Sequence, residues 1–230
     1  MSLTLGYWKA RGVAHCIRML MYYLKLEWED VTFSTFDEWK AGKAATFAKG
    51  GDEAPFANIP YLIDGDFILT ESGAIPLYLC QRENRRDLLG KDLKDQSRVR
   101  QVDGVVRDFF QTIRNAFYTP EREEKFKEAA KEGSKTLALT QKLSDYLGEK
   151  EFFVGYLTYS DFLFTHYFLF ARNSFLSTGA GDPFTKFPNL VALVKRVLAL
   201  PELEGFEESE HCFNYHPEGR FEFFKDHPLP

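Results

Sequence analysis

Tyr7 stands where the first apolar run of the chain, Leu3-Thr4-Leu5-Gly6-Tyr7, gives way to a loop through Gly12. In an open α/β sheet the carboxyl end of a strand faces the ligand crevice. A tyrosine hydroxyl there could donate a hydrogen bond to a developing anion such as a thiolate and lower that group's pKa. A helix beginning near Val13 would act in the same direction through its positive N-terminal end. Tyr7 and Trp8 would equally serve as cover for a core edge. The second chemistry-bearing stretch is Asn58-Ile59-Pro60-Tyr61-Leu62-Ile63-Asp64-Gly65-Asp66, continuing through Phe67-Ile68-Leu69-Thr70 to Glu71-Ser72. A proline that opens a strand loses no ladder hydrogen bond, and it is the residue for which a cis bond is cheap. With that bond cis, Ile59 would turn its N–H and C=O outward toward an extended ligand. Ser72 at a helix start offers an anion site, and Glu71 a fixed charge for an ammonium. Free backbone, anion site and carboxylate together suit a small zwitterionic peptide. A β-hairpin feeding a capped helix accounts for the same residues with no ligand at all.

The elements that would position these groups follow from periodicity. Residues 3–7 read as a strand, Val13 to Leu24 as a helix with Ile17, Leu20, Met21 and Leu24 on one face, and Trp28–Phe33 as a second strand. Residues 34–57 are interrupted by Gly42, Gly50, Gly51 and Pro55 around a short helix near Glu38–Lys49. The hairpin and a helix from Ser72 to Asn84 complete a β-α-β-α-β-β-α order, which implies a small mixed sheet with helices on both faces.

Beyond a charged linker the chain reads as helical. Val99, Val102, Val106, Phe110, Ile113 and Phe117 mark one face of a long helix ending near Tyr118, and Pro120 suits the first turn of a second helix over 121–147. Thr158-Tyr159-Ser160-Asp161 has capping-box spacing before the apolar run 162–170, and Pro188 opens a further helix. The tail from Glu204, rich in Phe, His and Pro, is expected to wrap the surface. Three segments result: an α/β domain over 1–84, a linker over 85–90, and a helical domain with its tail over 91–230.

The chain has 230 residues, enough for two modest cores, and its 23 phenylalanines predict an aromatic-rich interior. A net charge of -5 with interspersed signs argues against a nucleic-acid or anionic-membrane surface. No run is long enough to span a bilayer and no secretory leader is read at the N-terminus, so no membrane partner is expected. Cys16, Cys80 and Cys212 form no CxxC pair and leave one unpaired under any disulfide scheme, which favours a reducing, cytoplasmic compartment. Cys212 between His211 and His216 is a weak metal pattern, and no metal is expected. On spacing alone Asp108 beside Arg107 reads as a solvated helix face, Phe56 as a loop aromatic, and Tyr118 as a helix-end residue before Thr119-Pro120.

Gly6-Tyr7-Trp8, Arg11-Gly12-Val13-Ala14-His15, the run Asn58–Gly65 and Glu71-Ser72-Gly73-Ala74-Ile75, in that order and spacing, resemble a cytosolic glutathione transferase and are most similar to the mu class. The likeness continues through Tyr118–Glu121, Thr158–Asp161 and Phe187–Leu190, and thins over 34–57 and after 204. The resemblance implies a thioredoxin-like N-terminal domain followed by an all-helical one, assembled as a homodimer, with glutathione as co-substrate.

Carried over by position, Tyr7 matches the tyrosine that stabilises the glutathione thiolate. Asn58 and Ile59 match the pair binding the cysteinyl portion, with Pro60 cis, and Ser72 the serine on the γ-glutamyl carboxylate. Glu71 stands where the mu class usually has glutamine. Trp39 and Lys43 match a pair holding the glycyl end, with Lys49 the rival lysine; Phe36 occupies the place of the mu-class arginine upstream. Asp108 matches an acid that reaches the γ-glutamyl ammonium of the neighbouring subunit, and Phe56 an aromatic wedge in the dimer. Tyr118 matches a proton-donating tyrosine, and Trp8, Val13, Phe110, Gln111 and Tyr118 the wall of the hydrophobic-substrate pocket.

The implied activity is attack of the glutathione thiolate on electrophilic hydrophobic compounds, a detoxifying transferase. The alternatives on the same fold are a carrier of hydrophobic ligands, a glutathione-dependent isomerase, and a structural protein of the lens type.

Overall fold

The computed structural model describes residues 3–48, 56–213 and 229, in two compact units. The first takes Met1–Arg85 with Pro201–Phe221, and the second Arg86–Leu200 with Glu222–Pro230. Residues 201–213 group with the first unit.

In the first unit β1 (Leu3–Trp8) runs parallel to β2 (Trp28–Phe33) and antiparallel to β3 (Tyr61–Asp64), which pairs with β4 (Phe67–Thr70) through the Asp64–Phe67 hairpin. The strand order is β2-β1-β3-β4. Alternation places Gly6 and Tyr61 on one face and Leu5 and Leu62, both fully buried, on the other. Gly6 is glycine because a Cβ there would fall 2.0 Å from the Tyr61 ring. That ring also joins an aromatic cluster with Phe33 and Trp39, the latter from α2 (Phe36–Thr46). Thr35 caps α2 by accepting from the Glu38 amide.

A 3-10 turn over Gly12–Ala14 leads into α1 (His15–Tyr23), where His15 and Cys16 are buried as packed residues. Lys25, at φ 55, ends it by a Schellman arrangement in which Leu26 N–H bonds Met21 C=O. The helix read from Ser72 starts later, as α3 (Ile75–Arg82). Residues 72–74 form a turn because the Glu71 carbonyl accepts from both Ala74 and Ile75. Asn84, at φ 56, closes its C-terminus, with Arg85 N–H on Cys80 C=O.

In the second unit a 3-10 turn (Arg86–Leu89) occupies the expected linker and buries Leu88. Then come α4 (Leu93–Phe117), α5 (Arg122–Ala129), α6 (Lys135–Leu147), α7 (Tyr159–Ser177) and α8 (Pro188–Leu198). The single helix read over 121–147 is two. Gly133, at φ 81, and Ser134, whose side chain accepts from Leu137 N–H, break and restart it. The capping box is present: Thr158 and Asp161 bond each other's backbone at the start of α7. That helix is buried on nearly every side and packs against α4 and α8, as an all-round apolar helix must. Phe126, Phe168, Phe175 and Phe184 form edge-on and tilted contacts at 4.8 to 5.5 Å, which is where many of the phenylalanines go.

Candidate active site

Sheet register gathers the predicted residues of the first unit. Gly6 pairs with Tyr61, and Tyr61 with Thr70. One step further along each strand brings Tyr7 at the end of β1, Pro60 before β3 and Glu71 after β4 to the same end of three adjacent strands. The Ile59–Pro60 bond is cis, and no backbone hydrogen bond engages Ile59 among the described residues. Asn58 is exposed and Ile59 half-buried.

Tyr7 is 8% exposed, and its hydroxyl accepts a hydrogen bond from Val13 N–H at 3.1 Å. The turn that delivers this amide needs Gly12. Its φ is +40, and a Cβ would sit 2.5 Å from the Tyr7 hydroxyl oxygen. The aromatic ring and the turn thus share space that only glycine leaves open. Trp8 and Val13 are half-buried beside them in sequence.

Glu71 holds φ 78, a left-handed conformation rare for a residue with a Cβ. Its carbonyl is engaged by two amides of the following turn, so the backbone is fixed while the side chain stays exposed. Ser72 is half-buried in that turn and has partners of its own.

Trp39 is 7% exposed, set edge-on to Phe33 and stacked with Tyr61, so its ring belongs chiefly to the aromatic cluster. Lys43, one helical turn on, carries its Nζ 6.0 Å from the Trp39 ring centroid and is exposed. Lys49 lies outside the described residues. Phe56 is 67% exposed.

The other candidates lie in the second unit. Asp108 is exposed on α4. Its neighbour Arg107 bonds the buried Asp103, and Arg100 joins Asp103 to the Tyr159 hydroxyl. Burial next to Asp103 pushes the Tyr159 pKa up. Phe110 stacks on Tyr167 at 3.7 Å and meets Phe170 edge-on, so it belongs to the core of this unit. Gln111 is exposed and donates to Asn115. Tyr118 is the C-cap residue of α4 and is 65% exposed. Crowding by surrounding chain raises its hydroxyl pKa, Arg114 opposes this, and solvent at the exposed ring screens both.

Arg18 pairs within the fold, as read from the sequence, whereas no sequence signal pointed to the C-terminal segment that engages Arg11. Arg18 is fully buried, donates to Asp30 Oδ1 at 2.8 Å and to Ala10 C=O at 2.8 Å, and burial lowers its pKa against the opposing pull of Asp30. Arg11 donates Nε to Phe213 C=O and Nη2 to Glu207 Oε2, both at 2.9 Å. Donor atoms of His15, Glu207 and Cys212 lie within 4.8 Å of one another. Arg11 already binds Glu207, Cys212 Sγ donates to the same carboxylate, and Arg18 places positive charge near Cys212. Two guanidiniums so placed oppose a cation there.

A four-stranded thioredoxin-like sheet followed by an all-helical unit is the fold of the glutathione transferases. The family model "Glutathione S-transferase, N-terminal domain" matches residues 3–81, and "Glutathione S-transferase, C-terminal domain" matches 107–210. The chain belongs to the glutathione S-transferase family. It is 30% identical over 217 residues to human Glutathione S-transferase Mu 4, covering 91% of this chain and 92% of that one. It is 34% identical over 171 residues to Glutathione S-transferase Mu 1 of Macaca fascicularis, covering 71% and 73%. Among solved structures, the glutathione S-transferase Blo t 8 superposes with TM-score 0.75 at 28% identity, over 91% of this chain and 93% of that one. Rat hPGDS complexed with a quinoline gives 0.73 at 27%, over 90% and 96%. The activity of the family is that of a transferase using glutathione, and the human and Macaca fascicularis relatives carry mu-class names. Among the described residues no helix is long and apolar enough to cross a membrane.

Proposed function

We propose that this transferase works by tyrosine-assisted attack of the glutathione thiolate on hydrophobic electrophiles, in a detoxifying role. The observation that carries the reading is the Tyr7–Val13 hydrogen bond at the sheet end shared with Ile59–Pro60 and Glu71. An amide donating to the phenol oxygen polarises the O–H, making it a stronger donor toward sulfur. The pairing-competent backbone of Ile59 would take the cysteinyl amide. Ser72 would bind the γ-glutamyl carboxylate and Glu71 the ammonium, while Lys43 beside Trp39 would meet the glycyl carboxylate. Each pKa unit by which the thiol is lowered corresponds to about 1.4 kcal/mol of preference for the thiolate.

The same reading assigns Asn58 to the cysteinyl end and gives Trp8, Val13, Phe110, Gln111 and Tyr118 their parts toward the electrophile, with Tyr118 donating a proton. Asp108 would reach the partner's ammonium in a homodimer, where the exposed phenyl of Phe56 would act as the wedge. No metal takes part. Three free cysteines support a cytoplasmic setting.

The test is incubation of the purified protein with glutathione and an activated aryl chloride. Conjugate should form while glutathione is consumed one for one. Tight binding of aromatic anions without conjugate would make it a carrier, and turnover of a peroxide substrate with glutathione retained would make it an isomerase.

A further inference from the structure

The turn that presents Val13 N–H to Tyr7 is gripped from its other side by the C-terminal segment. Arg11 opens this turn: its C=O accepts from His15 N–H, and its side chain is 8% exposed. That side chain spans to residues far along the chain, Nε to Phe213 C=O and Nη2 to Glu207 Oε2. Arg18 holds the residue before it, through Ala10 C=O, while its guanidinium lies 4.3 Å from the Phe213 ring centroid. The segment is fixed at three further points. Phe206 packs on His15 and Tyr22, Tyr22 hydroxyl donates to Glu204 C=O, and His211 stacks on Trp28 while bonding Asp30 at 2.7 Å. Every contact of residues 204–213 named here falls on the loop and helix that follow β1, or on β2 beside it.

From this arrangement we infer that Arg11 and Glu207 are positioning residues for the thiolate, acting through the Gly12–Val13 turn on Tyr7. The inference rests on the proposal that Tyr7 tunes the glutathione sulfur. The Val13 amide is useful only if it stays within hydrogen-bond reach of the phenol oxygen. The turn carrying it has no side-chain cap of its own, and Gly12 supplies no side chain to lock it. Arg11 supplies the missing restraint, and Glu207 keeps the guanidinium in the geometry that reaches Phe213. Among the described residues the charged and titratable groups facing Arg11 and Arg18 include Glu207, Asp30, Tyr7, Cys212, His211 and His15. Because Glu207 is 43% exposed, its ion pair alone contributes little stability, so its loss should alter the site more than the fold.

The experiment is the pH profile of kcat/KM for the electrophile at saturating glutathione, which reports the thiol of the enzyme–glutathione complex, measured with Glu207→Ala, Glu207→Gln, Arg11→Lys, Arg11→Ala and Tyr7→Phe. Glu207→Ala should raise the apparent thiol pKa and lower kcat/KM at acidic pH by about threefold, with KM for glutathione changed less than about twofold. Glu207→Gln, which keeps an acceptor, should recover most of the loss. Arg11→Ala should lose about tenfold and Arg11→Lys an intermediate amount. Wild-type profiles in the Glu207 variants and in Arg11→Lys, beside a shifted Tyr7→Phe, would overturn the inference and leave Tyr7 in place. A wild-type profile in Tyr7→Phe would remove both. Should Arg11→Ala fail to fold, the Glu207 pair and Arg11→Lys decide.

Discussion

Tyr7 and Gly12 occupy one space: the Tyr7 hydroxyl lies 2.5 Å from where a Cβ on Gly12 would be, and the same turn sends Val13 N–H to that hydroxyl at 3.1 Å. The tyrosine's hydroxyl end is therefore set by a backbone turn, and the turn by the absence of a side chain.

Gly12→Ala should accordingly impair chemistry more than stability. The new methyl meets both a φ of +40 and the phenol, so ring or turn must move. We expect kcat to fall by at least about tenfold, since a displacement near 1 Å at a reacting centre is costly. Glutathione binding, measured by calorimetry, should weaken much less. Wild-type turnover in this variant would show that the contact is not needed.

At the other end of the bound peptide, Glu71→Gln should weaken glutathione binding by about three- to tenfold, because a neutral amide holds an ammonium less strongly than a carboxylate does. The left-handed backbone at this position and its two amide partners are independent of the side-chain charge, so the fold should be unaffected. An equal or lower dissociation constant would refute the role given to Glu71.

Stability should carry a signature of Asp161. It is fully buried, and desolvation raises its pKa from 3.8 to about 6 against hydrogen bonds from Phe153 N–H and from the Thr158 side chain and N–H. The folded value lies above the unfolded one. The native state thus holds the proton more tightly, and the stabilisation is complete below the unfolded value and lost as pH rises through the folded one. Relative to Asp161→Asn, which does not titrate, the wild type should lose at most about 3 kcal/mol between pH values of about 4 and 7. Parallel denaturant-unfolding stabilities across that range would contradict this.

Much of this was legible in the sequence where the signal is local. Trp28–Phe33 alternates and forms β2 at those residues, and the Asp-Gly turn fixed the β3–β4 hairpin. The capping box of α7 was readable because its partners are three residues apart. α3 starts at Ile75, three residues past Ser72, because a turn over 72–74 that closes on the Glu71 carbonyl comes first. Gly133-Ser134 carried a break signal that the continuous charge pattern over 121–147 obscured. Phe110 had the spacing of an inner-face residue, and the structure places it in the core stack with Tyr167. Nothing local could have shown Arg11 with Glu207, which are 196 positions apart. Their pairing exists only once the chain returns to α1.

The most direct test is the pKa of the glutathione thiol in its complex, read from thiolate absorbance in wild type and Tyr7→Phe. The wild type should bind the thiol with its pKa lowered well below that of free glutathione. Tyr7→Phe should bind glutathione with similar affinity and return the pKa toward the free value, with conjugation falling by about a hundredfold or more. Equal thiol pKa values and equal turnover in the two proteins would contradict the account.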